Sequence, residues 1–440
     1  MSSLDLSKAA EFAIDYAKKC GVDQSEVSLH QGVGVSIDAR QQELETVEKN
    51  NDTQFVVSVY KDHKTGSASS ADLSEAGIRS SIDAAVSIAR FTGEDDCFGL
   101  ADKELMATDL TDLELHHPWD VDVAQMLDIA LECEQAALDA SDLIVNSEGA
   151  TVNTYSGDAV YANSHGFLSH TEGSQHSISC SVVGAKGESM QRDYWYDSNR
   201  NAAKLESAKE IGAQAARRTI ERLGGQQISS RQASVLFDPS MAKSLVHHLM
   251  GAIKGGAIYK KASFMLDKVG DVILPEFVTI AEHPHQLGAQ GSATHDAEGV
   301  ATPEYRAIVE NGRLESYLLG SYTARKLGLT STANSGGVRN LTVSNTGQNF
   351  SELLQQMSSG LLVTELIGSG VNSLTGDYSR GAAGFWVENG EIQYPVEEIT
   401  IAGNLIDMYQ SIVAIGTDID VKGNAECGSI LVENMTIAGS

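Results

Sequence analysis

Two adjacent histidines, His247 and His248, stand in the run FDPSMAKSLVHHLMGAIKGG. Imidazoles carried on a helix are the usual beginning of a zinc site. Asp238 suits an N-cap and Pro239 the first helical turn, while Leu245, Val246, Leu249, Met250 and Ile253 make one apolar stripe. At about 100° per residue the two imidazoles lie off that stripe, on either side of Gly251. A zinc peptidase helix needs two ligands converging on one ion and a carboxylate to activate water. Neighbouring residues point about 100° apart, and no Glu or Asp follows within a turn. The pair therefore holds no catalytic metal by itself; one ring is expected to bond locally and the other to meet solvent or a partner surface.

Other residues of ligand type are weaker candidates. His165 and His170 are five apart in YANSHGFLSHTEGS, which alternates like a strand or hairpin, and residues five apart on a strand face opposite sides. His283 and His285 flank Pro284 in a loop-like stretch and read as surface groups. Asp296 and Glu298 stand beside Gly299 in a loop and could bind a cation or a peptide amine. Ser335, Gly336 and Gly337 lack the order of a phosphate-binding loop, and no nucleophile elbow or dinucleotide fingerprint occurs. The five cysteines (Cys20, Cys97, Cys133, Cys180, Cys427) include no CxxC pair, so most of them read as buried thiols.

The elements that must position these residues fall into two groups. Residues 1–230 alternate helical and strand periods: helices near 5–20, 74–91, 123–140 and 202–223, with strands at 27–37, 55–60, 143–152, 158–168 and 177–183. The polar run GQQISSRQ at 225–232 suits a linker. Residues 231–440 begin with the Asp238 helix and continue as short β-rich runs at 272–280, 305–310, 313–319, 384–388, 397–401 and 429–437. Asn311-Gly312 and Asn389-Gly390 among them are strong hairpin signals. The fold class is α+β: an N-terminal domain of helices on antiparallel sheet, then a mostly-β domain, barrel-like or sandwich-like.

Composition limits the functions open to this chain. Of 440 residues, 60 are acidic and 31 basic, for a formal charge of -29, which repels phosphate backbones and argues against direct nucleic-acid binding. No apolar run approaches the roughly 20 residues of a membrane helix, and the start lacks the order of a signal peptide, so a cytoplasmic location is expected.

Along nearly its whole length the chain resembles the TldD/PmbA family of peptidases, and most closely its PmbA (TldE) branch. The resemblance rests on FDPSMA, on HDAEGVATPEYRAIVENGRLESYLLGSYTARKLG from His295, and on YPVEEITIAGNLIDMYQSIVAIGTD from Tyr394. In the TldD branch the helix carries HExxxH and a distant Cys-Gly supplies a third zinc ligand. Laid over this chain, the first ligand falls on His247, the catalytic Glu on His248, the second ligand on Ala252 and the thiolate on Cys427. Two of the three groups on the helix are thus missing. The resemblance implies a subunit without its own zinc or catalytic residue, paired with a TldD-type subunit that carries the zinc. The complex would process small or unfolded peptides, including peptide-antibiotic maturation and antitoxin removal, with an indirect link to DNA gyrase. It also implies a homodimer when the chain is isolated, and gives Asp296, Glu298 and Gly299 a place in a peptide or partner cleft. Two alternatives stay open: an autonomous metalloprotease with an unconventional site at His247, His248 and Cys427, and a peptide-binding scaffold without catalysis.

Overall fold

The computed structural model describes residues 5–439. In the N-terminal half, strands β1 (Gln24–Arg40), β2 (Glu43–Lys61), β3 (Lys64–Ser70), β4 (Ile144–Asn163), β5 (Leu168–Lys186) and β6 (Ser189–Asn199) form one antiparallel sheet in the order β3-β2-β1-β4-β5-β6. Helices α1 (Leu6–Lys19) and α2 (Glu75–Ala89) bury their apolar faces on Val27, Leu29, Phe55 and Val160. Helices α3 (Val123–Leu138) and α4 (Ala208–Glu221) do the same on Ile37, Val152, Ile178 and Val182. Each helix begins at a side-chain cap: Asp5, Ser74, Asp122 and Ser207 each accept a backbone N–H of the first turn.

The strands are longer than their apolar patterns suggest. Residues 43–54 of β2 are mostly polar and almost wholly exposed, so they carry no buried alternation, yet they pair with β1 as far as Arg40, with a bulge at Asp38–Ala39. The runs expected at 143–152 and 158–168 belong mostly to one strand, β4, and β6 carries too many polar residues to announce itself.

The C-terminal half comprises β7 (Arg231–Phe237), α5 (Pro239–Ala252), α6 (Gly255–Tyr259), β8 (Ile280–Glu282), β9 (Arg306–Glu310), β10 (Arg313–Leu314), α7 (Ser321–Leu327), β11 (Leu341–Val343) and α8 (Phe350–Met357). It continues through β12 (Gly360–Ile367), β13 (Asp377–Glu388), β14 (Glu391–Asn404), α9 (Leu405–Gln410), β15 (Ile412–Ile415), β16 (Ala425–Glu426) and β17 (Ile430–Ala438). The order β14-β13-β12-β7-β17, closed by pairing between β14 and β17, makes a five-stranded barrel with β15 attached to β17. A second sheet runs β10-β9-β8-β11-β16. The fold is α+β.

Alternation assigns the barrel strands two faces. Val235, Phe237, Leu361 and Val363 join the large core that includes α5, whereas Leu236, Leu362 and Leu431 pack with Leu353, Leu354 and Met357 of α8. Part of the run read as a linker, Arg231 and Gln232, opens β7, whose later residues are the apolar ones. The stretches at 272–279 and 315–319 are largely irregular; Val272 makes only an isolated bridge to Arg313.

Candidate functional site

Helix α5 starts where Asp238 accepts the backbone N–H of Met241 at 2.9 Å and the hydroxyl of Ser240 at 2.7 Å. Its stripe of Leu245, Val246, Leu249, Met250 and Ile253 is buried, as the sequence pattern requires. The two imidazoles diverge. His247 is exposed, with Lys243 and Asn424 as neighbours, whereas half-buried His248 meets the ring of Tyr378 edge-on, with centroids 6.1 Å apart. Both rings titrate below the ordinary histidine value. Loss of hydration comes first in each case, then the positive charge of Lys243 beside His247 and of Arg380 beside His248.

Lys243, one turn before His247, is 8% exposed and pairs with Asp420 at 2.8 Å; its ammonium also donates to the carbonyl of Lys422. The segment carrying Asp420 runs back to Cys427, whose carbonyl accepts the Asp420 N–H at 3.1 Å. The Cys427 thiol is fully buried, points to the carbonyl of Gly428 at 3.2 Å, and is pushed up to about 12 by that burial. Ala252 is 2% exposed, and its carbonyl accepts the hydroxyl of Ser263 at 2.6 Å. The neighbourhood of α5 thus unites His247, Lys243 and Cys427 around an internal ion pair.

Asp296, Glu298 and Gly299 occupy a separate loop. Asp296 is 1% exposed and accepts three backbone N–H groups, from Glu298, Val300 and Ser335, at 2.9–3.0 Å. Burial nevertheless dominates and raises its carboxyl to about 6. Glu298 accepts the Ser321 N–H at 2.8 Å at the start of α7 and faces a cavity of about 390 Å³ shared with Lys254, Gly255 and Asn334. Gly299 has φ 79°, and a Cβ there would stand 3.0 Å from the rings of Phe167 and Tyr161, so only glycine fits.

A third polar region adjoins the Asp296 loop. A cleft of about 940 Å³ lies between β4 and β5, the segment 110–116 and the loop 292–297, with Arg200 and Arg339 among its walls. On its surface His170 Nε2 meets Asp158 at 2.9 Å and His116 Nδ1 meets Glu172 at 2.9 Å. Among the described residues, Asp158, His170 and Glu172 are the one group of three whose ligand atoms lie within 4.8 Å of each other. The spacing of His170 and Glu172, two apart on a strand, was the available signal; their partners His116 and Asp158 come from elsewhere in the chain. His165, by contrast, sits in the turn between β4 and β5 with Nε2 3.2 Å from the Ala101 carbonyl. His283 and His285 bond to the hydroxyls of Thr342 and Thr302, each at 3.0 Å.

Comparison with known proteins places this architecture. Three family models match: PmbA/TldA metallopeptidase domain 1 over residues 25–89, the central domain over 116–223 and the C-terminal domain over 230–439. The metalloprotease PmbA of Escherichia coli O157:H7 is 46% identical, the match covering 99% of this chain and 96% of that protein. The PmbA homolog of Haemophilus influenzae is also 46% identical, with the same coverage. Among solved structures, a Bacteroides thetaiotaomicron protein described as a modulator of DNA gyrase superposes with a TM-score of 0.94 at 28% identity, over all of both chains. TldE of Thermococcus kodakarensis shares the fold with a TM-score of 0.81 at 20% identity, over 98% of this chain and all of its own. With three consecutive domain models and near full-length relatives in agreement, the chain belongs to the PmbA/TldA metallopeptidase family.

Proposed function

We propose that this chain is the TldE-type, non-catalytic subunit of a zinc metallopeptidase complex, in which a TldD-type partner holds the zinc and cuts small or unfolded peptides. The observation that supports this most is the divergence of His247 and His248 on α5, with Ala252 packed into the core and a neutral, buried Cys427. Zinc needs ligands that converge on one point. The residues present do not fit that ion: one imidazole faces Lys243, the other faces Tyr378, and an ammonium paired with Asp420 takes up the positive charge beside Cys427. Retention of the full three-domain scaffold without this chemistry suits a subunit that shapes or gates a shared peptide chamber.

The same reading places the complex in the cytoplasm, lets the isolated chain form a homodimer, and assigns peptide-antibiotic maturation and antitoxin removal as the substrate class. No helix among the described residues is long and apolar enough to cross a membrane. The test is copurification with a TldD-type chain and an unfolded peptide. Cleavage should need both chains, survive His247→Ala here, and vanish when the partner loses its own HExxxH. Cleavage by this chain alone, abolished by His247→Ala or Cys427→Ser, would instead support the autonomous metalloprotease. Peptide binding that never turns over, with or without the partner, would support the scaffold.

A further inference from the structure

We propose that the cleft beside the N-terminal sheet holds a divalent transition-metal site, with His116, Asp158, His170 and Glu172 as its ligands. Asp158 and Glu172 are direct partners across β4 and β5, and like charges so placed repel. His170 precedes Glu172 by two residues on the same strand, so its ring rises from the same face. That face is polar between two apolar patches: Val152 belongs to the core under α3 and α4, Val160 to the core under α1 and α2, and Thr154, Ser156 and Asp158 lie between them.

The fourth group arrives from the segment 113–117. Ser174 donates its N–H to the Leu115 carbonyl at 3.0 Å, and the His117 N–H returns to the Ser174 hydroxyl at 2.8 Å. This pairing docks the segment along β5 and delivers His116 to Glu172. Asp158, His170 and Glu172 therefore bring their ligand atoms within 4.8 Å of one another on the wall of an open cavity, and His116 reaches the set through its contact with Glu172. Transition ions bond such atoms at about 2.0–2.2 Å, so small rotations of exposed side chains would convert the two His–carboxylate contacts into one coordination shell. A mixed nitrogen and oxygen set suits Zn²⁺ or Mn²⁺, whereas Ca²⁺ and Mg²⁺ take oxygen alone. The ion would also relieve the repulsion between Asp158 and Glu172, and the cavity leaves room for water or a peptide carbonyl as a further ligand.

This site stands independently of the reading of α5, and the experiment separates them. The full chain, purified without a polyhistidine tag, is titrated with Zn²⁺ and Mn²⁺ by calorimetry and with Co²⁺ by absorption. One ion should bind per chain, and His170→Ala and Glu172→Ala should each weaken binding by about tenfold or more, as should the milder His116→Gln. His247→Ala and Cys427→Ser should leave it unchanged, and the cobalt spectrum should lack a thiolate charge-transfer band. Metal-free melting curves like the parent's show that the variants fold. Absence of uptake would overturn the proposal, as would uptake indifferent to His170→Ala and Glu172→Ala. A thiolate band lost in Cys427→Ser would move the metal to α5.

Discussion

The surroundings of α5 and the cleft over β4 and β5 both carry two imidazoles, but the two regions neutralise their carboxylates in opposite ways. Beside α5 the chain supplies its own cation: Lys243 is buried with Asp420, and Cys427 beneath them is held as a thiol. In the cleft, Asp158 and Glu172 are paired across β4 and β5 with partly exposed side chains, and His170 and His116 are the groups that answer them. A closed network of this kind resists a metal because an ion must displace an ammonium and deprotonate a buried thiol. The open cluster asks for no such rearrangement.

The contrast can be broken most forcefully at Lys243. Lys243→Ala leaves Asp420 without its buried partner and should cost about 3 kcal/mol, toward the low end for buried pairs because Asp420 keeps 22% of its side-chain surface. Urea denaturation at neutral pH reads this directly, and a loss below about 1 kcal/mol would mean that the ammonium is dispensable. Next comes pH. The folded carboxyl of Asp296 titrates near 6 against 3.8 unfolded, so the native state holds its proton longer. Stability from this group is full below pH 3.8 and is lost as pH rises through 6, by about 3 kcal/mol. Asp296→Asn removes that term, so the stability of the parent relative to the variant should fall between pH 4 and 7; parallel curves would contradict the assignment.

Adding a ligand-type residue to α5 sharpens the comparison further. Ala252→His forces an imidazole into a packed site and should destabilise by about 1–3 kcal/mol. Combined with His248→Glu it should still yield no stoichiometric zinc at α5, as metal analysis of a His170→Ala background would show. The smallest effect belongs to the cleft. His170→Ala removes a pair that is more than 40% exposed on both sides, and should change metal-free stability by about 0.5 kcal/mol or less, visible only as a slight shift in the melting curve.

Legibility in the sequence followed burial. The cap of α5, its apolar stripe and helices α2, α3 and α4 were readable because a 3.6-residue period records one buried face, although α4 begins at Ala208 and not at 202 because residues 202–204 form a separate short turn. The hairpin at Asn389-Gly390 was readable because Asn389 takes φ 52° and Gly390 φ 75°, which few residues tolerate. The exposed end of β2 and the polar strand β6 left no such record. Short strands such as β8 and β11, three residues each, are fixed by their neighbours and not by their own composition.

The sequence by itself determined the α+β class, the acidic charge, and the capped, apolar-striped helix that carries His247 and His248. Those properties are local: each depends on residues within a few positions of one another. Only the tertiary structure decided that Lys243 and Asp420 close over Cys427, that β14 meets β17 to complete a barrel, and that His116 and Asp158 join His170 and Glu172. Those contacts link positions far apart in the chain, and strand register and loop docking, which bring them together, arise from packing of the whole fold.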